Sequence, residues 1–296
     1  MQHDFAREKK AGIVHRSSPQ MDTITMTGDS PLGQQSEYPD EYSAALLFAM
    51  ERAESRATLG LGDDLPFQGV DIWNAWELTW LANNGQPRIA TVEMRVPAES
   101  PNIVESKSLK LYLNSFSMSS YESADEVRDV IRRDLSRCVG SDADVILQIP
   151  AATEGQSSDS LPGDCIDDAD VECDTWDVDA SLLQSNSNDI VTESLHSHVL
   201  RSLCPVTSQP DLGSVLISYS GPKINRASLL RYIVSFRKHN DFHEACVERM
   251  FLDIQERCGP DQLAVCARYQ RRGGIDINPC RANFPFEAPN LRLWRQ

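Results

Sequence analysis

The chain has 296 residues, 41% hydrophobic and 24% charged, with a formal net charge of −16. That length accommodates two domains of ordinary size, each with its own core, and the composition is that of a globular protein. The acidity argues against direct nucleic-acid binding, no apolar run is long enough to span a bilayer, and residues 1–20 lack the apolar centre of a secretory signal, so a cytoplasmic protein is expected.

Residues 1–36 are polar and without periodicity, and read as a flexible N-terminal tail. Met21 follows a first stretch of twenty residues that is expected to be dispensable for folding. A first module is expected over 37–150, with the short apolar patch Ala44 to Met50 anchoring the tail to it. Ile72 to Leu81 carries Trp73, Trp76 and Trp80 and reads as a strand. Asn83-Asn84-Gly85-Gln86 is a turn, and Arg88 to Val96 alternates Ile89, Thr91, Glu93 and Arg95 against Ala90, Val92, Met94 and Val96. Together these predict a hairpin. Glu105 to Phe116 is expected to be helical. A second helix opens at the capping box Ser123-Ala124-Asp125-Glu126, with Val127, Val130, Ile131 and Leu135 as its buried stripe. Asp144 to Ile149 returns as a strand.

Residues 151–187 belong to a run without Lys or Arg between Cys138 and Leu200. Like charges at this density repel, and the stretch reads as an acidic, solvated linker. It lacks the glycine turn and terminal Glu of a calcium loop. A second module is expected over 188–296. Ser197 to Val206 and Ser214 to Ser220 read as strands, and Arg226 to Lys238 as a helix with Leu229, Leu230, Ile233 and Val234 on one face. Asp241-Phe242-His243-Glu244 resembles a capping box opening another helix. Gln262 to Arg268 and Gly274 to Asn278 read as strands around Arg271-Arg272-Gly273-Gly274. Two units of hairpin, helices and strand predict an α+β fold with an internal duplication, matched in pattern rather than in letters.

The segment from Cys204 to Asp211 stands out. Pro205 and Pro210 flank it, so it reads as a shaped loop or strand end, followed by a turn at Asp211-Leu212-Gly213. A thiol and a carboxylic acid at fixed separation suit a nucleophile and a proton donor; taken alone, a buried cysteine and a turn-forming aspartate is the commoner arrangement. Glu105-Ser106-Lys107-Ser108 opens a helix where a phosphate fits, or is simply solvated. His243-Glu244 sits at another helix start, and Glu244 there also serves to complete a capping box. Arg271 and Arg272 lie in a glycine turn that suits a phosphate or carboxylate, or is a plain hairpin turn. The eight cysteines include no CxxC pair and no histidine pair at zinc spacing, so free thiols and no metal are expected. Gly60-Leu61-Gly62 lacks the third glycine and the preceding strand of a dinucleotide fingerprint, so a nicotinamide cofactor has to bind by other means.

The run Glu105-Ser106-Lys107-Ser108-Leu109-Lys110-Leu111-Tyr112 resembles the signature of the NADPH-dependent 7-cyano-7-deazaguanine reductases, the nitrile reductases named QueF, in their long two-module form. The resemblance extends to Leu65-Pro66-Phe67, Asp71-Ile72-Trp73-Asn74, Cys204 through Gly213, Phe242-His243-Glu244 with Cys246 through Arg249, and Arg271 through Pro279. It implies tandem T-fold (tunnelling-fold) modules related to the GTP cyclohydrolase fold. It also implies reduction of a nitrile to a primary amine by two equivalents of NADPH in tRNA queuosine biosynthesis, with no metal, in a homodimer. Carried over by residue, Cys204 is the nucleophile that forms a thioimide and Asp211 the proton donor. Val104, Glu105 and Ser106, with His243 and Glu244, hold the deazapurine. Ser106 and Lys107, with Arg272 and Gly273, contact NADPH. Another T-fold purine or pterin enzyme, or a non-catalytic deazapurine-binding module, remains the alternative.

Overall fold

The computed structural model describes Pro39 and residues 41–149 and 158–296. The predicted tail, 1–36, and the start of the acidic stretch, 151–157, fall outside the described residues. The chain opens with β1 (Ala49–Glu51) and α1 (Arg52–Thr58). A long hairpin of β2 (Gln68–Leu81) and β3 (Pro87–Pro97) follows, then β4 (Asn102–Val104), α2 (Ser106–Asn114), α3 (Ala124–Val139) and β5 (Asp144–Gln148). After the two-residue β6 (Asp164–Cys165) the plan repeats. It runs through β7 (Ser185–Leu203), β8 (Pro210–Ile224), α4 (Arg226–Ser235), α5 (His243–Cys258), β9 (Gln262–Tyr269) and β10 (Ile275–Ala282). One eight-stranded sheet, ordered β5-β3-β2-β10-β9-β8-β7-β6, carries both halves, and β1 pairs separately with β4. Among the described residues no helix is long and apolar enough to cross a membrane.

Period-two alternation, its phase shifted by the irregularity between Ala75 and Leu78 of β2, puts Trp73, Leu78 and Trp80 of β2 and Ala90, Val92 and Met94 of β3 on one buried face, against Leu109, Tyr112, Ile131 and Leu135 of α2 and α3. A second core joins Val215, Ile217 and Tyr219 of β8 and Val265 of β9 to Leu229, Ile233, Phe251 and Ile254 of α4 and α5. The repeat reaches the letters after all. Ser108-Leu109, Tyr112 and Ser115-Phe116 recur as Ser228-Leu229, Tyr232 and Ser235-Phe236. Their contacts recur too: Tyr112 donates to Asp134 at 2.9 Å and Tyr232 to Asp253 at 2.7 Å. Both Ser115 and Ser235 donate to the carbonyl of the preceding tyrosine, at 2.6 Å each.

The halves meet where β2 pairs antiparallel with β10, from Ala75 opposite Ile275 to Gln68 opposite Ala282. A buried ion cluster backs this seam. Arg281 reaches Asp71 at 2.7 Å and Glu248 at 2.9 Å. Arg52 holds the other oxygen of Asp71 at 2.6 Å, and Arg56 holds Glu248 at 2.8 Å. Burial alone would push the Asp71 carboxyl up, but Arg281 and Arg52 hold it below the usual carboxylate range.

Four local expectations are corrected. The strand expected from Ser197 begins twelve residues earlier, at Ser185, because its polar first half is exposed and shows no apolar alternation. Asp211-Leu212-Gly213 is the start of β8, not a turn. Gly213 is there for clearance, since a Cβ at that position would meet the Tyr269 ring at 3.2 Å. The capping pattern at 241–244 does not close: Asp241 accepts only from the amide of Phe242, and the N-cap of α5 is Phe242 without a side-chain bond. Cys266 and Cys280, expected to be free thiols, face each other across β9 and β10 and form a disulfide. Residues 158–187 also contribute structure: β6 pairs in parallel with β7, and Leu161, Ile166 and Leu183 are buried.

Candidate active site

The end of β7 and the start of β8 set the position of Cys204 and Asp211. Leu203 pairs with Pro210 and Ser202 with Asp211, while the Cys204 amide donates to the Gln209 carbonyl and the Ser208 amide to the Cys204 carbonyl, each at 2.9 Å. Closing so short a loop puts Ser208 at φ 55°, in the left-handed region. The prolines at either end thus bound a rigid loop, with the thiol and the carboxyl directed into one cleft.

That cleft is narrow, with a cavity volume of about 30 Å³, and both modules line it. Trp73, Ile103, Val104 and Ser106 come from the first half; Cys204, Asp211, Asp241, Phe242, His243, Glu244, Arg272 and Ile277 come from the second. The walls are apolar and aromatic, which suits a flat ring, with a few convergent polar groups. Of the residues singled out in the sequence, Val104, Ser106, Cys204, Asp211, His243, Glu244 and Arg272 share this wall. Glu105, Lys107 and Gly273 stand behind it. The Glu105 carboxylate caps α2, accepting from the amides of Lys107 at 2.7 Å and Ser108 at 2.8 Å. Gly273, at φ 63°, allows the turn that presents Arg272 and packs closely on Lys110; a Cβ there would lie 3.1 Å from Lys110 Cε.

Asp211 sits between the side chains of Arg272 and His243. Arg272 Nη2 lies 3.0 Å from Oδ1, and His243 Nε2 lies 3.3 Å from Oδ2 without the alignment of a hydrogen bond. The His243 ring stacks on Tyr269 with centroids 3.9 Å apart. Of the two neighbouring arginines only Arg272 turns inward; Arg271 covers the face of Trp76. Three buried atoms at the site have no hydrogen-bond partner among the described residues: Glu244 Oε1, Arg272 Nη1 and His243 Nε2. Burial, helped by the charge of Asp71, pushes the Glu244 carboxyl up to about 7. Burial likewise raises Asp241 to about 6. The Lys110 ammonium is drawn down by burial and by Arg272, against the opposing pull of Glu105, Asp211 and Cys204.

Asp241, Phe242, Lys110 and Tyr269 are absent from the residues picked out in the sequence. Asp241 and Phe242 carried a signal that reads as a helix start. Lys110 lies inside the recognised motif, without a role drawn from it. Tyr269 ends a strand and gives no local sign that it faces His243.

Two family models match the chain. The first, described as "Nitrile reductase, 7-cyano-7-deazaguanine-reductase N-term", covers residues 38–147. The second, described as "QueF-like protein", covers residues 210–284. Curated relatives named NADPH-dependent 7-cyano-7-deazaguanine reductase align over 269 residues, which is 90% of this chain and 98% of each relative. They include those of Bordetella avium and Paraburkholderia phymatum, each 51% identical, and that of Burkholderia multivorans, 52% identical.

Proposed function

The chain belongs to the QueF family of nitrile reductases, and from that premise we propose that it reduces the nitrile of 7-cyano-7-deazaguanine to the aminomethyl group of 7-aminomethyl-7-deazaguanine with NADPH, on the route to tRNA queuosine. The fold is α+β, in the tandem T-fold arrangement of the family. The observation that carries this reading is the convergence of Cys204, Asp211 and the unsatisfied Glu244 carboxylate on one cleft lined by both modules.

In the proposed mechanism the sulfur of Cys204 adds to the nitrile carbon, forming an S–C bond and opening one π bond of the triple bond. The nitrogen needs one proton and the thiol releases one, so Asp211 carries it between them and a neutral thioimide results. Arg272 and His243 keep the Asp211 carboxyl oriented while it does so. Two hydrides supplied by NADPH and two protons from solvent complete the four-electron change from nitrile to amine; the S–C bond breaks after the first hydride is added, which returns Cys204 to the thiol and leaves an imine for the second. Arg272 fits an anionic co-substrate, since its Nη1 has no hydrogen-bond partner among the described residues; Ser106 and Lys107 would meet it through their side chains, because the Glu105 carboxylate already takes the amides of Lys107 and Ser108. Glu244 accepts from the N–H donors of the deazapurine ring, which lies between Phe242 and the apolar wall of Trp73, Val104 and Ile277.

Cys204→Ala tests the reading. The variant is expected to lose both the covalent adduct visible by mass spectrometry and NADPH oxidation with the nitrile; a variant that kept full turnover would remove the covalent route. The homodimer implied by the resemblance draws support from β5, an edge strand that among the described residues pairs only with β3 and carries an exposed Ile146. Sedimentation at the mass of one chain would count against it.

A further inference from the structure

Cys165, His196 and His198 meet at the β6 edge of the sheet and share no residue with the cleft. Cys165 on β6 is the parallel partner of His196 on β7, so the two side chains leave the sheet on one face. His198 follows two residues later on the same face, and the two imidazole centroids are 5.2 Å apart. One ligand atom from each of the three residues lies within 4.8 Å of the other two. The histidines are held as ligands are held. His196 Nδ1 is 3.0 Å from the Pro162 carbonyl; a carbonyl only accepts, so the proton sits on Nδ1 and the lone pair on Nε2. His198 anchors Nδ1 on Ser214 Oγ at 2.8 Å. Outer partners of this kind fix tautomer and ring angle around metal-bound imidazoles. The loop after β6 is tied down as well, since Asp167 accepts from Ser197 Oγ at 2.6 Å and from the His198 amide at 2.9 Å.

We propose that Cys165, His196 and His198 form a zinc(II) site that clamps the acidic stretch to the second module. One thiolate and two imidazoles suit a borderline-soft divalent ion. Cys165 is exposed, so the ion enters from solvent and a water completes the tetrahedron. Binding converts the thiol to thiolate and releases its proton to solvent. The clamp has a mechanical reason: β6 makes only two residue pairs with β7, a short ladder on which to hold a stretch rich in like charges. The reductase chemistry proposed above does not use these residues.

The test is titration of Zn²⁺ alone into the full chain by calorimetry, with Co²⁺ as a spectroscopic stand-in. One ion per chain is expected, with thiolate-to-cobalt charge-transfer absorption, and slower proteolysis within 158–179 when zinc is bound. Cys165→Ser and His196→Gln should each weaken zinc binding at least about 100-fold, more than the loss of an outer hydrogen bond costs. Cys173→Ser and Cys204→Ala should keep it, and Cys165→Ser should oxidise NADPH with the nitrile at the unaltered rate. Because Cys165 is exposed, its serine variant tests ligation without disturbing a core. Absence of saturable zinc binding, unchanged affinity in Cys165→Ser, or loss of the ion in Cys204→Ala would each overturn the site.

Discussion

Glu244 buries a carboxylate oxygen that no other group in the described chain satisfies, and its pKa has been pushed up to about 7 from an ordinary 4.5. A group raised in the folded state contributes stability below its unfolded pKa and loses it as pH rises through the folded value. At pH 8 the ionised Glu244 therefore works against the fold, by up to about 3 kcal/mol on the scale of 1.36 kcal/mol per pKa unit. On the proposed reading binding favours that same ionised form, because a carboxylate can accept from two ring N–H donors at once, whereas the protonated acid turns one oxygen into a donor. Glu244→Gln is predicted to be more stable than the parent at pH 8, with the gap closing toward pH 5, when both are unfolded in urea. The parent should bind the deazapurine about tenfold more weakly for each pH unit below about 7, and the glutamine variant should bind weakly at every pH. Equal urea midpoints at pH 8 would show that Glu244 is not held in this way. The prolines that bracket Cys204 and Asp211 marked the segment in the sequence, but the roles of the two residues came only from the family resemblance; both residues line one cleft. Asp241 was not legible, because the same four letters that make a capping box elsewhere here turn Glu244 inward.

Helix α5 is tied to the first module through its own side chains. Glu244 faces the cleft, and Glu248, one turn later, accepts from both Arg56 and Arg281. Arg281 in turn binds Asp71 on β2, so one guanidinium spans the seam and fixes the helix that carries Glu244. Removing one member of a buried ion network strands the others. Arg281→Met, which keeps volume but not charge, is predicted to cost about 3–5 kcal/mol in denaturant unfolding; a midpoint near that of the parent would show the network to be dispensable. Elements with a clean period could be read from sequence. The β2–β3 hairpin, α2 and α4 lie close to their expected ranges, and Ser123 caps α3 as expected, its Oγ accepting from the Glu126 amide at 3.1 Å, although the Glu126 carboxylate accepts from the amide of Glu122 instead of that of Ser123. The ion cluster left no such trace, since Arg52, Asp71, Glu248 and Arg281 are scattered in sequence and look like surface residues until the β2–β10 pairing encloses them. The Cys266–Cys280 pairing is likewise a product of strand register and not of any local motif.

Both halves follow one plan, down to the tyrosine–aspartate pairs Tyr112–Asp134 and Tyr232–Asp253, yet they have diverged at the hairpin tips. Where the second half carries the loop from Cys204 to Gln209, the first turns through Asn83-Asn84-Gly85, with no thiol and no acid. The first half instead gives Val104 and Ser106 to the cleft wall, while its Glu105 caps the helix behind. Duplication doubled the fold without doubling the chemistry. On the proposed mechanism the consequence is a stoichiometry: two modules would share one reacting centre, with no thiol at the matching tip of the first. Exposed to the nitrile without NADPH, the protein is predicted to gain one adduct mass per polypeptide, counted on the intact chain and not per module. A second adduct on the same chain would mean that the two halves have remained equals.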